Sequence, residues 1–213
     1  MPALAKICGL STPETLDAAV AGGASHVGFV FFPKSPRNLA IERAAALASR
    51  APRSVKIVGL FVDPDADRID AVRAQVHLDV IQLHGDEHPA LVSRLRTSNG
   101  IEVWKAVPVR TTEDLKQARR FLGSADRILF DAKPPLGADM PGGNGLRFDW
   151  KLLEGFRHSL PWGLSGGLDP RNIAEAVRIT GAELVDVSSG VESAPGVKAV
   201  DKIAAFLKAT ASL

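Results

Sequence analysis

The chain has 213 residues, 46% hydrophobic and 23% charged, with a formal net charge of +2; this is the composition of an ordinary globular domain and gives no electrostatic case for nucleic acid. A single cysteine, Cys8, rules out an internal disulfide framework and suits a reducing compartment. The opening MPALAKICGL is broken too early by Gly and Pro to be a signal peptide, and no apolar run approaches the roughly 20 residues that span a bilayer, so a cytoplasmic protein without membrane contact is expected.

Leu4–Cys8 reads as a short strand, and Thr12-Pro13 as an N-cap with proline at the first helical position, opening a helix that ends at Gly22-Gly23. His26–Phe31 is a strand of the near-continuous apolar kind expected when both faces are covered. The loop Phe32–Asn38 (FPKSPRN) leads to the Ala-rich helix Ile41–Arg50. Val55–Val62 is a strand, Asp63-Pro64-Asp65 caps a helix to Val76, Asp79–Leu83 is a strand, and Pro89–Arg96 a helix. Glu102–Val107, Thr111–Leu122 and Arg127–Asp131 read as strand, helix and strand. The longest loop, Ala132–Leu146, carries PPLG and GGNG and precedes a short helix at Asp149–Phe156. Strand Pro161–Ser165, helix Arg171–Thr180, strand Leu184–Val187 and helix Lys198–Thr210 complete the chain. Eight strand–helix units at about 25-residue spacing predict a parallel sheet, and in so short a chain a compact α/β (β/α)8 TIM barrel, one domain over residues 1–213.

Two late strand-end loops are built from small residues. In LSGGLDPRN, Ser165-Gly166-Gly167 separates a strand from a helix opened by Asp169-Pro170; glycines let backbone N–H groups approach an anion, and the helix end adds positive potential. In VDVSSGVE, Asp186 is followed by Ser188, Ser189 and Gly190. Either loop alone reads equally well as a tight turn. Side by side, at the ends of the last two barrel strands, they form a cup for a phosphate monoester.

Inward and outward residues alternate along barrel strands, which places Lys6, Cys8, Gln82, His84, Lys105, Asp131, Ser165 and Asp186 together at one mouth. Charges inside a barrel are costly unless paired or used, so this convergence marks an active site. Ordinary readings exist for each: Cys8 as a small buried hydrophobe, Asp131 as a cap, His84 as a structural histidine, Lys105 as partner of a carboxylate such as Asp131, and Arg37 as a solvated cation. No His, Cys and carboxylate cluster has metal-ligand spacing, and no glycine fingerprint for a nucleotide is present, so neither a metal nor a nucleotide cofactor is expected.

With KICGL at the first strand, FxxxSPR after the second, QLHGDE at the fourth, LFDAK at the sixth, then GGNGLRFDW, LSGGLDPRN and VDVSSGVE, the chain resembles the phosphoribosylanthranilate isomerase family of tryptophan biosynthesis. The matches run in order from Lys6 to the final helix, and KxCG paired with FD is the discriminating combination. Asn144, where the family commonly has Thr or Ser, and the stiff Lys133-Pro134-Pro135 are departures confined to a loop. The resemblance implies an Amadori rearrangement of N-(5'-phosphoribosyl)anthranilate to 1-(2-carboxyphenylamino)-1-deoxyribulose 5-phosphate, with Asp131 as acid and Cys8 as base. That fits the physics if the apolar mouth raises the pKa of Asp131 and Lys6 lowers that of Cys8. It implies that Arg37, rather than its loop neighbour Lys34, meets the aryl carboxylate in a two-point fork. His84, Gly143 and Asp186 would line the substrate, and Ser165, Gly166, Gly167, Ser188, Ser189 and Gly190 would hold the phosphate. The alternatives are another phosphosugar isomerase or epimerase of this fold, or a barrel that only binds phosphorylated ligands; the latter could lose Cys8 or Asp131, and this chain has both. The partner implied is a small phosphoribosyl substrate, with the oligomeric state open and a monomer favoured.

Overall fold

Eight apolar runs pair in sequence order as parallel strands and close on themselves in the computed structural model, which describes residues 3–135, 137, 140–143 and 145–213. The strands are β1 (Leu4–Cys8), β2 (His26–Val30), β3 (Lys56–Phe61), β4 (Val80–Leu83), β5 (Glu102–Val109), β6 (Arg127–Ala132), β7 (Trp162–Leu164) and β8 (Leu184–Val187). The ring closes where β8 pairs with β1, in a register that sets Lys6 opposite Asp186. The helices are α1 (Pro13–Ala21), α2 (Ile41–Ala48), α3 (Ala66–Arg73), α4 (Pro89–Asn99), α5 (Thr112–Lys116), α6 (Ile173–Thr180) and α7 (Val200–Ala211). Outward residues such as Ile7, Phe29, Ile81, Leu83 and Phe130 join Leu16, Ala44, Ile173 and Phe206 of the helices in the main core. Inside the ring, Val58, Val80, Trp104, Ala106, Leu129 and Leu184 fill the floor. Cys8, Val30 and Leu60 form a separate apolar cluster. Period-two alternation thus separates two buried faces, as a barrel requires.

Three expected elements differ. The helix expected at Thr111–Leu122 divides, with α5 ending at Lys116 and Gln117–Phe121 tightening into a 3-10 turn. Leu115, Ala118 and Phe121 are all buried, a spacing of three that a 3-10 turn sets in line on one face. The same spacing explains the second case: Trp150 and Leu153 are buried, and the helix expected at Asp149–Phe156 is a 3-10 turn over Trp150–Leu153. Third, an antiparallel hairpin of β9 (Glu192–Ala194) and β10 (Val197–Lys198) lies between β8 and α7, after a 3-10 turn at Ser189–Val191. Pro195-Gly196, with Gly196 at φ 81°, makes its turn and delays α7 to Val200. Asn144 and three other positions of the Ala132–Leu146 loop lie outside the described residues.

Aspartates that lead into strands tie the ring from below. Asp79 Oδ2 accepts from the Ile57 N–H at 2.7 Å. Asp126 Oδ2 accepts from the Val103 N–H at 2.9 Å, and its Oδ1 from Arg96 Nε at 2.6 Å. Asp126→Ala orphans the amide of the fully buried Val103 and is expected to cost about 1–3 kcal/mol in urea titration, while Asp126→Asn, which keeps the acceptor, recovers most of it. His26 supplies a pH effect. It sits 5.0 Å from the Trp104 ring, and burial, together with the charges of Lys56 and Lys6, holds its pKa near 4 against an ordinary 6.5. Between those values the unfolded chain binds the extra proton, so stability falls as pH drops through the window and is unaffected by this group above it. Urea midpoints at pH 7 and pH 5 should therefore differ less in His26→Gln than in the wild type.

Candidate active site

The mouth is made by residues that continue the inward face of each strand. On β1, Lys6 has no exposed surface and its Nζ lies 2.9 Å from Asp186 Oδ1 on β8. Burial pulls the Lys6 pKa down, but Asp186 and Cys8 together outweigh it and hold the ammonium above the ordinary lysine value. Cys8 follows two residues on and is buried. Burial pushes its thiol up from the ordinary value, and Lys6 pulls the other way without overcoming it. The expected lowering of the Cys8 pKa is thus reversed, because the Lys6 charge is shared with Asp186 in a dry interior. Gly28 on β2 makes the room: a Cβ there would stand 3.0 Å from Cys8 Sγ and 3.2 Å from Lys6 Cε.

Asp131 extends from β6 into the same space. Its Oδ1 accepts from the Ala132 N–H at 2.8 Å, and its Oδ2 lies 2.9 Å from His84 Nε2 beyond the end of β4. Gly142 passes directly over this pair, where a Cβ would collide with both side chains. Cys8, His84, Arg37, Asp131, Gly143, Ser165, Asp186 and Ser188 line one cavity of about 50 Å³. Beside it a cup of about 30 Å³ is lined by Ser165, Gly166, Gly167, Gly143, Asp186, Ser188 and Ser189. Gly190 acts differently, since a Cβ there would run into the Leu168 carbonyl; its bareness lets the loops after β7 and β8 stack. Gly166 and Gly167, at φ 85° and 65°, press on Asp131-Ala132 and on Leu146-Arg147 in the same way.

Two expected positions change. Lys105 lies on the opposite face from Trp104 and Ala106, which fill the barrel floor. Its Nζ donates to the carbonyls of Gly85 and Ala106, both at 2.8 Å, and stands 2.9 Å from Glu87 Oε2. Its carboxylate partner is therefore Glu87, and Asp131 pairs with His84. Arg37 is buried rather than solvated: Nε and Nη2 meet Glu192 Oε1 and Oε2 at 2.7 and 2.9 Å, and Nη2 also donates to the Gly143 carbonyl at 3.1 Å. Its two-point fork is taken by the protein, leaving Nη1 without a protein hydrogen bond among the described residues. Lys34 is exposed and lines a wider adjoining cleft of about 770 Å³ that shares Phe32, Val62, His84 and Pro141 with the smaller cavity.

Sequence reasoning missed Gly28, Glu192 and Lys198. A lone glycine inside the apolar run HVGFV was the available signal for the first. Glu192 closes the SSGVE motif, but its pairing with a residue 155 positions away has no local signature. Among the described residues no group of three or more His, Cys, Asp or Glu is placed to hold a metal ion, and no helix is long and apolar enough to cross a membrane.

Residues 5–209 match the family of N-(5'-phosphoribosyl)anthranilate (PRA) isomerase. The isomerase of Rhodospirillum centenum is 55% identical, with 100% of each chain covered. The crystal structure of the Thermotoga maritima isomerase, an enzyme described as dimeric, superposes with a TM-score of 0.89 at 37% identity over 99% of this chain and 100% of that one. An isomerase in complex with reduced 1-(o-carboxyphenylamino)-1-deoxyribulose 5-phosphate superposes with a TM-score of 0.83 at 35% identity, covering 99% and 100% of the two chains. The barrel, its strand-end residues and these matches over nearly the whole length agree, and the chain belongs to the N-(5'-phosphoribosyl)anthranilate isomerase family.

Proposed function

We propose that in this chain the family reaction, the Amadori rearrangement of N-(5'-phosphoribosyl)anthranilate to 1-(2-carboxyphenylamino)-1-deoxyribulose 5-phosphate, runs on Asp131 as general acid and Cys8 as general base. The observation that carries the assignment is that both project from separate strands into one small cavity beside the glycine cup. Asp131 protonates the furanose ring oxygen, the C1–O bond opens, and the nitrogen lone pair forms an iminium. Cys8 then removes the proton from C2, the C2–H electrons form the C1=C2 bond, and the C1=N pair returns to nitrogen to give the enolamine, which tautomerises to the ketone. Cys8 acts in this step as the thiolate; burial works against that charge, and Lys6 and the positive iminium forming beside it offset the burial. His84 holds the Asp131 carboxyl in its orientation.

The substrate has an anion at each end. The cup of Ser165, Gly166, Gly167, Ser188 and Ser189 is the site for the phosphate, and Arg37 Nη1 the donor for the aryl carboxylate. The smaller cavity shares Phe32, Val62, His84 and Pro141 with the wider cleft, which is the approach for the substrate. A buried thiol that must stay reduced fits the cytoplasm.

Cys8→Ala and Asp131→Asn are each expected to lower kcat by about 10²–10⁴-fold while inhibition by inorganic phosphate stays unchanged. Cys8→Ser should not restore activity, because a hydroxyl is a far weaker base. Retention of more than about a tenth of the activity in either variant would overturn that residue's role. Arg37→Ala is expected to raise KM by the roughly 1.5–3 kcal/mol of a charge-assisted hydrogen bond and to leave competitive inhibition by ribose 5-phosphate, which lacks the aryl group, unchanged. Equal weakening of both ligands would reassign Arg37 to the phosphate or to the loop's fold.

A further inference from the structure

Glu192 sits where the chain has just left the phosphate cup. Its carboxylate is buried and receives four donors: Arg37 Nε at 2.7 Å and Lys198 Nζ at 2.6 Å on Oε1, Arg37 Nη2 at 2.9 Å and the Gly196 N–H at 3.3 Å on Oε2. Burial works against its charge, yet Arg37 and Lys198 outweigh it and keep the carboxyl below the ordinary range. Lys198, its ammonium equally buried, turns its other protons to the Ser188 carbonyl and hydroxyl at 2.9 and 3.1 Å. Ser188 Oγ in turn donates to the Cys8 carbonyl at 3.2 Å. One carboxylate therefore joins the loop that bears Arg37 to the loop that bears the cup. Two cations share this single anion, so the cluster carries an excess positive charge that an incoming carboxylate would offset.

We infer that Glu192 is a positioning residue that fixes the span between the two anion sites, holding Arg37 by its Nε/Nη2 edge so that Nη1 faces the cavity at a set distance from the cup. The inference rests on the reading of Arg37 as the aryl-carboxylate donor. It follows that selectivity for a substrate with anions at both ends depends on a side chain that touches neither. Without Glu192, the guanidinium is free to swing and must be ordered on binding, a cost that falls on the two-anion substrate and not on phosphate alone.

Steady-state kinetics with N-(5'-phosphoribosyl)anthranilate, and inhibition by inorganic phosphate, should be measured for Arg37→Ala, Glu192→Gln and the double variant. Glu192→Gln keeps the shape of the side chain and is expected to raise KM about tenfold with little change in kcat, while phosphate inhibits as in the wild type. In the Arg37→Ala background the same change should add nothing further, since Glu192 acts through Arg37. An unchanged KM in Glu192→Gln, or effects that multiply in the double variant, would overturn the inference and leave Arg37 in place. Phosphate inhibition weakened in step with KM would make Glu192 a structural prop of the cup, again overturning it. An unchanged KM in Arg37→Ala would remove the carboxylate assignment and the inference together. Glu192→Asp, which keeps the charge one methylene shorter, should fall between wild type and Glu192→Gln in KM; a KM no lower than that of Glu192→Gln would count against positioning by charge.

Discussion

A charged lysine with no exposed surface is tolerable only beside a counter-charge, and Lys6 finds one in Asp186 at 2.9 Å. That pair is available because β1 and β8 meet in one register, with Lys6 and Asp186 as direct partners. A slip of β1 by one residue would turn Lys6 and Cys8 toward the helices and leave Asp186 in the mouth without its partner. The cluster at the mouth is therefore a consequence of barrel closure in a single register. The cost of holding charges in a dry interior reappears two residues on, where burial pushes the Cys8 thiol up from its ordinary value.

The remaining site residues obey a second constraint, the close approach of backbone. Gly28 yields space to Cys8 and Lys6, Gly142 crosses Asp131 and His84, and Gly190 lets the loop after β8 rest on the Leu168 carbonyl. A methyl group at any of these would press on a side chain or a backbone already in contact. The mouth is narrow because loops from several strands lie over it, and glycine is the residue that lets them do so.

Much of this was legible in the amino-acid order. Apolar runs at regular spacing gave the barrel, and polar residues interrupting them gave the inward face at Lys6, Cys8, His84, Asp131, Ser165 and Asp186. The same rule failed at β5, where the charged residue lies on the outer face because a carboxylate and two carbonyls receive it there. There Trp104 turns inward, its Nε1 donating to Glu102 at 2.7 Å, and Lys105 turns outward to Glu87. The 3-10 turn at Gln117–Phe121 follows from a spacing of three that is visible only once burial is known. The pairing of Arg37 with Glu192 was out of reach for a different reason: it joins distant loops, and nothing local in either requires it.

The closure of β8 on β1 also orders events in time. Lys6 is made 180 residues ahead of Asp186, so a growing chain holds an uncompensated lysine and a bare strand edge through most of its synthesis. Contacts of such separation are the slowest to form in a folding chain. Until β8 is in place, β1 presents a bare edge that can pair with the wrong neighbour. Closure by the final strand supplies at once the missing edge, the counter-charge and one wall of the glycine cup.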